Sequence, residues 1–474
     1  MSTRLERQTG LQLLTRKRYK DIIFDGFFAK NPHKELLNAL LRRKGLRMLL
    51  TFSVSNYKSI WGKQTLSMVG SNTKGAHAPA DVSAPGLTNG VLPCAIIYGP
   101  NASGKTNLLD ALVRMRDSIF LVHPTREKSL RRKPFDLNKM AKQAPTEFEI
   151  VFLEGGIRYD YGFSYDDDKI ISEYLFSYPK ERRRKIFDRR EGSIEFGALM
   201  RGSKKTLGSF LRPNVLFMSI AAHVDHPELK PVVEFFKNII ALSDITVHSG
   251  LLNITFKDNE IDHRSIAFLK AIGTGICDYK QVTSEIPEKQ RNMIADVIKV
   301  VSSYANDESE IDAPAVDDRE YEIQLGHVDY DGDLVYFPSD AESAGTRRLL
   351  IMMNYIFSSL DKGCIMVVDE IDASLHTHAV KSIVKLFLDH TYNRGNAQLI
   401  ATTHDTNLLD PNVLRRDEIW FSQKDRSGSS SYYSLVEINS RKDEGFERQY
   451  LQGRYGAVPP SSSFVERYIK NIEE

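Results

Sequence analysis

The chain has 474 residues, 41 % hydrophobic and 27 % charged; this excludes global disorder and, at roughly 100–200 residues per domain, allows two to four lobes. Its three cysteines, Cys94, Cys277 and Cys364, are too few and too scattered for a disulfide framework or a cysteine-based zinc site, so a reducing, cytoplasmic setting is expected. The net charge of +2 hides an asymmetry: residues 1–47 hold 12 of the 64 Lys+Arg but only 4 of the 62 Asp+Glu, so whole-chain charge makes no case for nucleic-acid binding.

That basic leader, 1–47, has short amphipathic stretches around Leu36, Leu37, Leu40 and Leu41. It lacks the apolar core of a secretory signal and reads either as an extension upstream of a start at Met48 or as a docking arm. No apolar run approaches the roughly 18 residues that span a bilayer, and no membrane partner is expected. From Met48 the alternation in LLTFSVSNYKSI predicts a strand. Residues 90–112 predict a strand (VLPCAIIY), a glycine-rich loop (GPNASGKT) and a helix (NLLDALVRM). The stretch 114–145 is basic. TEFEIVFL and IRYDYGFSY alternate around Gly155-Gly156, and IISEYLFSY and RKIFDRR follow, predicting an antiparallel meander over 146–196. Residues 200–300 read as helical, with apolar residues at i, i+3, i+4 in KPVVEFFKNIIAL and RSIAFLKAIG. No heptad pattern is sustained, so no long coiled coil is expected. The acidic stretch 305–322 reads as a loop. Strand signals return at 321–337, followed by a helix at 343–360, the strand CIMVVDE, a helix through VKSIVKLFL, the strand AQLIATTHD and a tail. Strands alternating with helices around the glycine-rich loop predict a mostly parallel sheet.

The strongest chemical signal is Gly99-Pro-Asn-Ala-Ser-Gly104-Lys105-Thr106. It satisfies G-x-x-x-x-G-K-[ST], follows an apolar strand and opens a helix, the context that defines a P-loop. Its glycines let backbone N–H groups wrap an anion at a helix N-terminus. Lys105 is expected to reach the β/γ-phosphates of ATP and Thr106 to ligate Mg²⁺, with Gly99, Asn101, Ser103, Gly104 and Asn107 completing the nucleotide contacts. A second signal is Ile365-Met-Val-Val-Asp369-Glu370, a buried strand ending in two acids. Asp369 is expected beside Mg²⁺ and Glu370 as the base that activates water. A third is Leu399-Ile-Ala-Thr-Thr-His404-Asp405, which delivers a histidine to the same sheet edge. His376 and His378, read as i, i+2 on a helix, should point apart and hold no metal.

The order of P-loop, Ser-x-Gly helix start, Asp-Glu strand, Ile-Asp-Ala-Ser-Leu loop and strand-borne histidine resembles the ABC-type ATPase heads, among them the soluble heads of chromosome-maintenance, RecF-type and OLD-type proteins. The resemblance implies an α/β P-loop NTPase head with an antiparallel β arm and a helical insertion. It implies a signature at Glu342-Ser343-Ala344-Gly345-Thr346-Arg347, where Ser343 and Gly345 cap the γ-phosphate held by a facing copy. It also implies a D-loop at Asp372 and a switch role for His404. No Q-loop glutamine stands out; the basic stretch offers only Gln143.

More narrowly, FSVSNYKSI, PTEFEIVF, RYDYGFSY, DEIDASLH, ATTHD and RKDEGFERQYLQGRYGAVP resemble the stand-alone ABC-type AAA ATPases of prokaryotic phage-defence operons, the abortive-infection and PARIS-like group related to OLD. This likeness covers about residues 48–460. Thr377 departs from it, since such relatives commonly have Pro there. The implied domains are the extension 1–47, a nucleotide-binding lobe 48–198 with the meander arm, a mainly helical insertion 199–320, and a second lobe 321–474 with signature, acidic strand, D-loop and switch histidine. The implied activity is ATP hydrolysis by a homodimer or larger assembly that controls a toxin or nuclease effector from the same operon. The alternative is a DNA-binding repair ATPase, for which REKSLRRK (126–133) and KERRRKIFDRR (180–190) would neutralise phosphates; the bland alternative for these clusters is a solvated hairpin face. The 70 residues after His404 are too few for the Toprim domain of OLD nucleases, and no nuclease motif is evident.

Overall fold

The computed structural model describes residues 46–73, 75–80, 87–120, 132–198, 200, 208, 211–242, 260–285, 293, 319–438 and 445–458. The leader up to residue 45, the basic run 121–131 and the acidic run 305–318 lie outside them. The described residues fall into two compact units, one of 46–242 and 358–458, the other of 260–357.

The larger unit is built on two sheets. The first has the order β16-β15-β3-β14-β13-β9, from β3 (Cys94–Tyr98), β9 (Ile239–Leu242), β13 (Ile365–Val368), β14 (Gln398–Thr402), β15 (Ile419–Lys424) and β16 (Ser430–Ser434). Every neighbouring pair is parallel except β15–β16. CAIIY, IMVV and QLIAT are buried at every position, as a parallel sheet covered on both faces requires. The register pairs Val368 with Ala401 and Thr402 with Ile97. The residues that follow these three strands therefore emerge together at one sheet edge.

The second sheet is the antiparallel arm, order β2-β1-β4-β5-β6-β7-β8, from β1 (Met48–Ser55), β2 (Gln64–Ser67), β4 (Thr146–Glu154), β5 (Ile157–Tyr165), β6 (Ile170–Tyr178), β7 (Arg184–Arg190) and β8 (Ser193–Phe196). The expected meander is present. Gly155 and Gly156, at φ +63° and +73°, form the two-residue turn that sets Glu154 against Ile157. Helices α1 (Lys105–Phe120), α3 (Phe217–His223) and α4 (Lys230–Lys237) pack against the arm. Phe152 stacks on Phe235 with ring centroids 3.8 Å apart, and each such buried ring contributes about 1.5–3 kcal/mol. Gln398 joins the sheets: its amide donates to Leu49 and Leu92 carbonyls and accepts from Leu49 N. Helix α2 (Lys139–Gln143) precedes β4, α7 (Thr377–Leu388) lies between β13 and β14, and α8 (Phe446–Leu451) follows β16.

The smaller unit holds α5 (His263–Ala271) and the antiparallel sheet β10 (Ile276–Glu285), β11 (Arg319–Val328) and β12 (Leu334–Pro338). Helix α6 (Ala344–Lys362) runs from its residues into those of the larger unit.

Two helical expectations within 200–300 are corrected. KPVVEFFKNIIAL is not one helix. The Asn238 side chain donates to Glu234 O at 2.7 Å and ends α4, and β9 then pairs parallel to β13. The β-branched pair Ile239-Ile240 suits that strand better than another helical turn. Residues 276–285 are likewise a strand, held by β11 along its whole length. Residues 319–322, read as part of an acidic loop, belong to β11. Among the described residues no helix is long and apolar enough to cross a membrane.

Candidate nucleotide site

The P-loop turns from β3 into α1. Gly104 has φ +106°, and a Cβ there would collide with the Ser430 and Ser59 hydroxyls. The loop is buttressed from beneath by the β15–β16 hairpin. Ser430 Oγ donates to Ser103 O at 2.7 Å, Ser422 Oγ to the same oxygen at 3.1 Å, and Tyr432 OH to Gly104 O at 2.7 Å. Asn107 Nδ2 donates to Ser59 Oγ at 2.7 Å, tying α1 to the segment after β1. Ser103 Oγ is buried with no hydrogen-bond partner, an unsatisfied polar atom within the loop. Asn101 and Thr106 are exposed on the outer side.

Lys105 folds back, its Nζ donating to Gly99 O at 2.8 Å and Pro100 O at 3.2 Å. Burial pulls its pKa below the usual lysine value, and the charges of Asp369, Glu370 and Asp372 work against that pull. These four side chains thus share one electrostatic neighbourhood.

Asp369 and Glu370 follow β13 directly. Glu370 sits at φ +48°, a conformation non-glycine residues avoid and which active sites often retain. Thr402 holds this turn: its hydroxyl donates to Asp369 Oδ1 at 2.6 Å and accepts from Glu370 N at 2.7 Å. His404 N donates to Asp372 at 3.1 Å, so the backbone after β14 is joined to the loop after the acidic strand. Two residues on, Thr406 Oγ1 donates to Glu447 Oε1 of α8 at 2.7 Å. Ser343 and Gly345 belong to the other unit. Ser343 Oγ accepts from Thr346 N at 3.1 Å as the cap of α6.

Thr402, Ser422 and Ser430 escaped sequence reading, because nothing local marks a hydroxyl whose partner lies 33, 319 or 327 residues away. The Thr402→Val variant, matched in shape but unable to make either bond, should lower turnover about 10- to 100-fold. Thr402→Ser should restore it, and steady-state kinetics of the pair checks this.

His376 is the N-cap of α7 rather than a helical residue, with φ −72° and ψ 141°. Its Nδ1 accepts from His378 N at 3.2 Å and the two rings stack at 5.1 Å, so they do not point apart as a helical spacing implies. Among the described residues no group of three His, Cys, Asp or Glu could hold a metal by itself. Thr377 is the first residue of α7, where Pro is favoured because its missing N–H has no helical acceptor. Gln143 ends α2, exposed.

Next to Ser59, which Asn107 of α1 bonds, opens a cavity of about 560 Å³ lined by Lys58, Arg132, Lys133, Phe135, Asp136 and Lys424. Sequence reading noted this basic stretch without giving it a place. Lys58 pairs with Asp110 of α1, which also accepts from Tyr57 OH at 2.6 Å.

A solved structure described as the SMC head domain from Thermotoga maritima resembles the chain with TM-score 0.37 and 12 % identity, covering 81 % of this chain and 98 % of that one. The structure of the recombination mediator protein RecF with ATP does so with TM-score 0.35 and 12 % identity, covering 83 % and 99 %. No curated protein sequence matches the chain. The fold of the larger unit is α/β, with the P-loop after β3 and the acidic strand two places away in the same sheet. The family model described as "AAA domain, putative AbiEii toxin, Type IV TA system" matches residues 94–410, from the first residue of β3 to beyond His404, and the chain belongs to that family.

Proposed function

We propose that this chain hydrolyses ATP and uses the nucleotide as a switch on its assembly. The observation that carries the reading is the convergence of P-loop, Asp369-Glu370 and His404 at the ends of three adjacent strands. Lys105 exchanges its two carbonyl partners for β/γ-phosphate oxygens. Glu370 takes a proton from water as that water's oxygen bonds to the γ-phosphorus. The bond from the γ-phosphorus to the bridging oxygen breaks, leaving ADP and phosphate. His404 reads the γ-phosphate. The oxygen donors Thr106 and Asp369 and the unpartnered Ser103 hydroxyl suit a hard cation on a phosphate-bearing ligand, and Thr106 and Asp369 would hold Mg²⁺. When bound, that ion would neutralise charge on the phosphates.

Ser343 and Gly345 complete the site from a second copy, so ATP biases a two-copy closed state over an open one. The output of that state is control of an effector encoded beside it, in anti-phage defence. The family's description names a toxin of a type IV toxin–antitoxin system, a two-partner setting, and the anti-phage output is our proposal beyond that name. The DNA-clamp alternative is the second reading. In the second basic cluster Arg184, Lys185, Arg189 and Arg190 pair with Glu228, Glu195, Glu173 and Asp188, while Arg182 and Arg183 are exposed and stand where a phosphate backbone could reach them.

The test is ATP binding and turnover of the wild type and Lys105→Ala, with and without duplex DNA. Lys105→Ala should bind ATP about 10- to 100-fold more weakly, the worth of a charged hydrogen bond to phosphate. Turnover independent of DNA supports the switch. Turnover seen only with DNA and lost on adding salt transfers the chain to the repair class.

A further inference from the structure

Two exposed apolar clusters on the described surface stand in opposite electrostatic settings. The first is the β11–β12 hairpin. Val328, Tyr330, Leu334, Val335 and Phe337 are all exposed, Tyr330 completely. β12 is the outer strand of its sheet among the described strands. From Val328 to Ser343 the chain has five carboxylates and no Lys or Arg. Asp329 Oδ1 accepts from the N–H groups of Asp331 at 3.0 Å and Asp333 at 2.8 Å, which fixes the acidic tip. An apolar edge strand of this kind is normally covered.

The second cluster is Leu137 and Met140, about three-quarters exposed, at the start of α2. Asn138 caps that helix, accepting from Met140 N at 2.8 Å, and so fixes both apolar side chains on the outside. Here the charge is reversed, since Lys133, Lys139 and Lys142 are exposed around it against the single carboxylate Asp136, while Arg132 is turned inward onto Asp167. This surface adjoins the basic cavity next to Ser59, which Asn107 of α1 bonds.

We propose that the β11–β12 hairpin of one copy docks on the Leu137–Met140 surface of a second copy, acidic tip against basic rim, and that two-fold symmetry repeats the contact. Each cluster is exposed within its own chain, and each offers the other both apolar area and opposite charge. Opposite charge favours this register and penalises hairpin against hairpin. The hairpin is also tied to the signature: His327 Nε2 lies 2.7 Å from Glu342 Oε1, next to Ser343. The contact therefore seats Ser343 of one copy near the P-loop rim of the other. That last step rests on the two-copy reading of the ATP site.

The experiment is sedimentation velocity on the full chain with Mg-ATP, in a Glu370→Gln background that preserves the nucleotide. ATP binding is measured separately with a fluorescent analogue. Asp331→Lys with Asp333→Lys should weaken dimerisation about tenfold or more, as should Lys139→Glu with Lys142→Glu. The only resolved pairing of those two lysines, Lys142 with Asp136 at 3.6 Å, is exposed and weak. Joining all four changes should restore dimerisation to within about threefold of the parent, because the charges have merely been exchanged. Tyr330→Ala, which alters no charge, should weaken it as well. Single-sided variants that dimerise like the parent, or a four-fold variant no better than either half, overturn the proposal and leave the hairpin to the leader or an effector. A parent that binds ATP yet stays monomeric at tens of micromolar overturns both this contact and the two-copy reading, while ATP binding stands.

Discussion

Glu370→Gln should lower ATP turnover about 10²- to 10⁴-fold, the usual worth of a positioned general base, while leaving ATP affinity unchanged or tighter. The substitution is nearly isosteric. It keeps the backbone N–H that donates to Thr402 Oγ1 at 2.7 Å and the turn at φ +48°, so the acidic strand end stays in place. What is lost is the capacity to take a proton. The variant should therefore separate chemistry from binding: kcat collapses, KM does not rise, and ATP-dependent assembly outlives its wild-type counterpart. Single-turnover quench-flow beside equilibrium binding reads both. A variant that turns over at the wild-type rate removes Glu370 from the chemistry and leaves the nucleotide as a structural ligand.

The contrast with Thr402→Val is informative because Thr402 acts through Asp369 and Glu370, so its loss should be smaller and recoverable by serine. That difference also shows what the sequence could reveal. The P-loop was legible because every part of it is local: strand, glycine-rich turn and helix start are contiguous from Cys94 to Phe120. The meander was legible for the same reason, since alternation and the Gly155-Gly156 turn specify their own neighbours. β9 was not legible. Four apolar residues after an amphipathic helix fit another helical turn equally well, and only the open edge of β13 decides for a strand. Thr402 lies 33 residues from the aspartate it holds, and Ser430 lies 327 from the P-loop carbonyl it supports. Such partners are set by strand order, which one sequence does not state. The histidine pair failed differently: helical geometry was applied to His376, one residue before the helix begins.

The largest stability loss is expected at Glu173, where a buried carboxylate fastens the arm to the helices around the P-loop. Glu173 is wholly buried on β6. It accepts from Phe217 N at 2.6 Å and Met218 N at 2.9 Å, the first N–H groups of α3, and from Tyr161 OH at 3.1 Å. Arg189 on β7 stands 3.7 Å away and donates to Val215 O at 2.6 Å and Arg212 O at 2.8 Å, in the segment that leads into α3. Burial pushes the Glu173 pKa up, and Arg189 and the N–H donors counter it, so the carboxylate depends on all its partners. Glu173→Ala leaves a buried guanidinium and two helix N–H groups uncompensated, which should cost about 3–5 kcal/mol. Glu173→Gln keeps some acceptor capacity and should lose less. Adding Arg189→Met to Glu173→Ala removes the stranded charge but also frees the carbonyls that Arg189 serves, so it should recover only part of the loss. Helix α3 in turn donates from Ser219 Oγ to Ser118 O of α1 at 2.9 Å, and α1 begins at Lys105. The destabilised variant should therefore also bind ATP more weakly, although Glu173 lies on the arm and not in the P-loop. Urea titration of all four proteins, with and without Mg-ATP, reads both effects. If Glu173→Ala unfolds within about 1 kcal/mol of the wild type, the buried pair is not what holds the arm to α3.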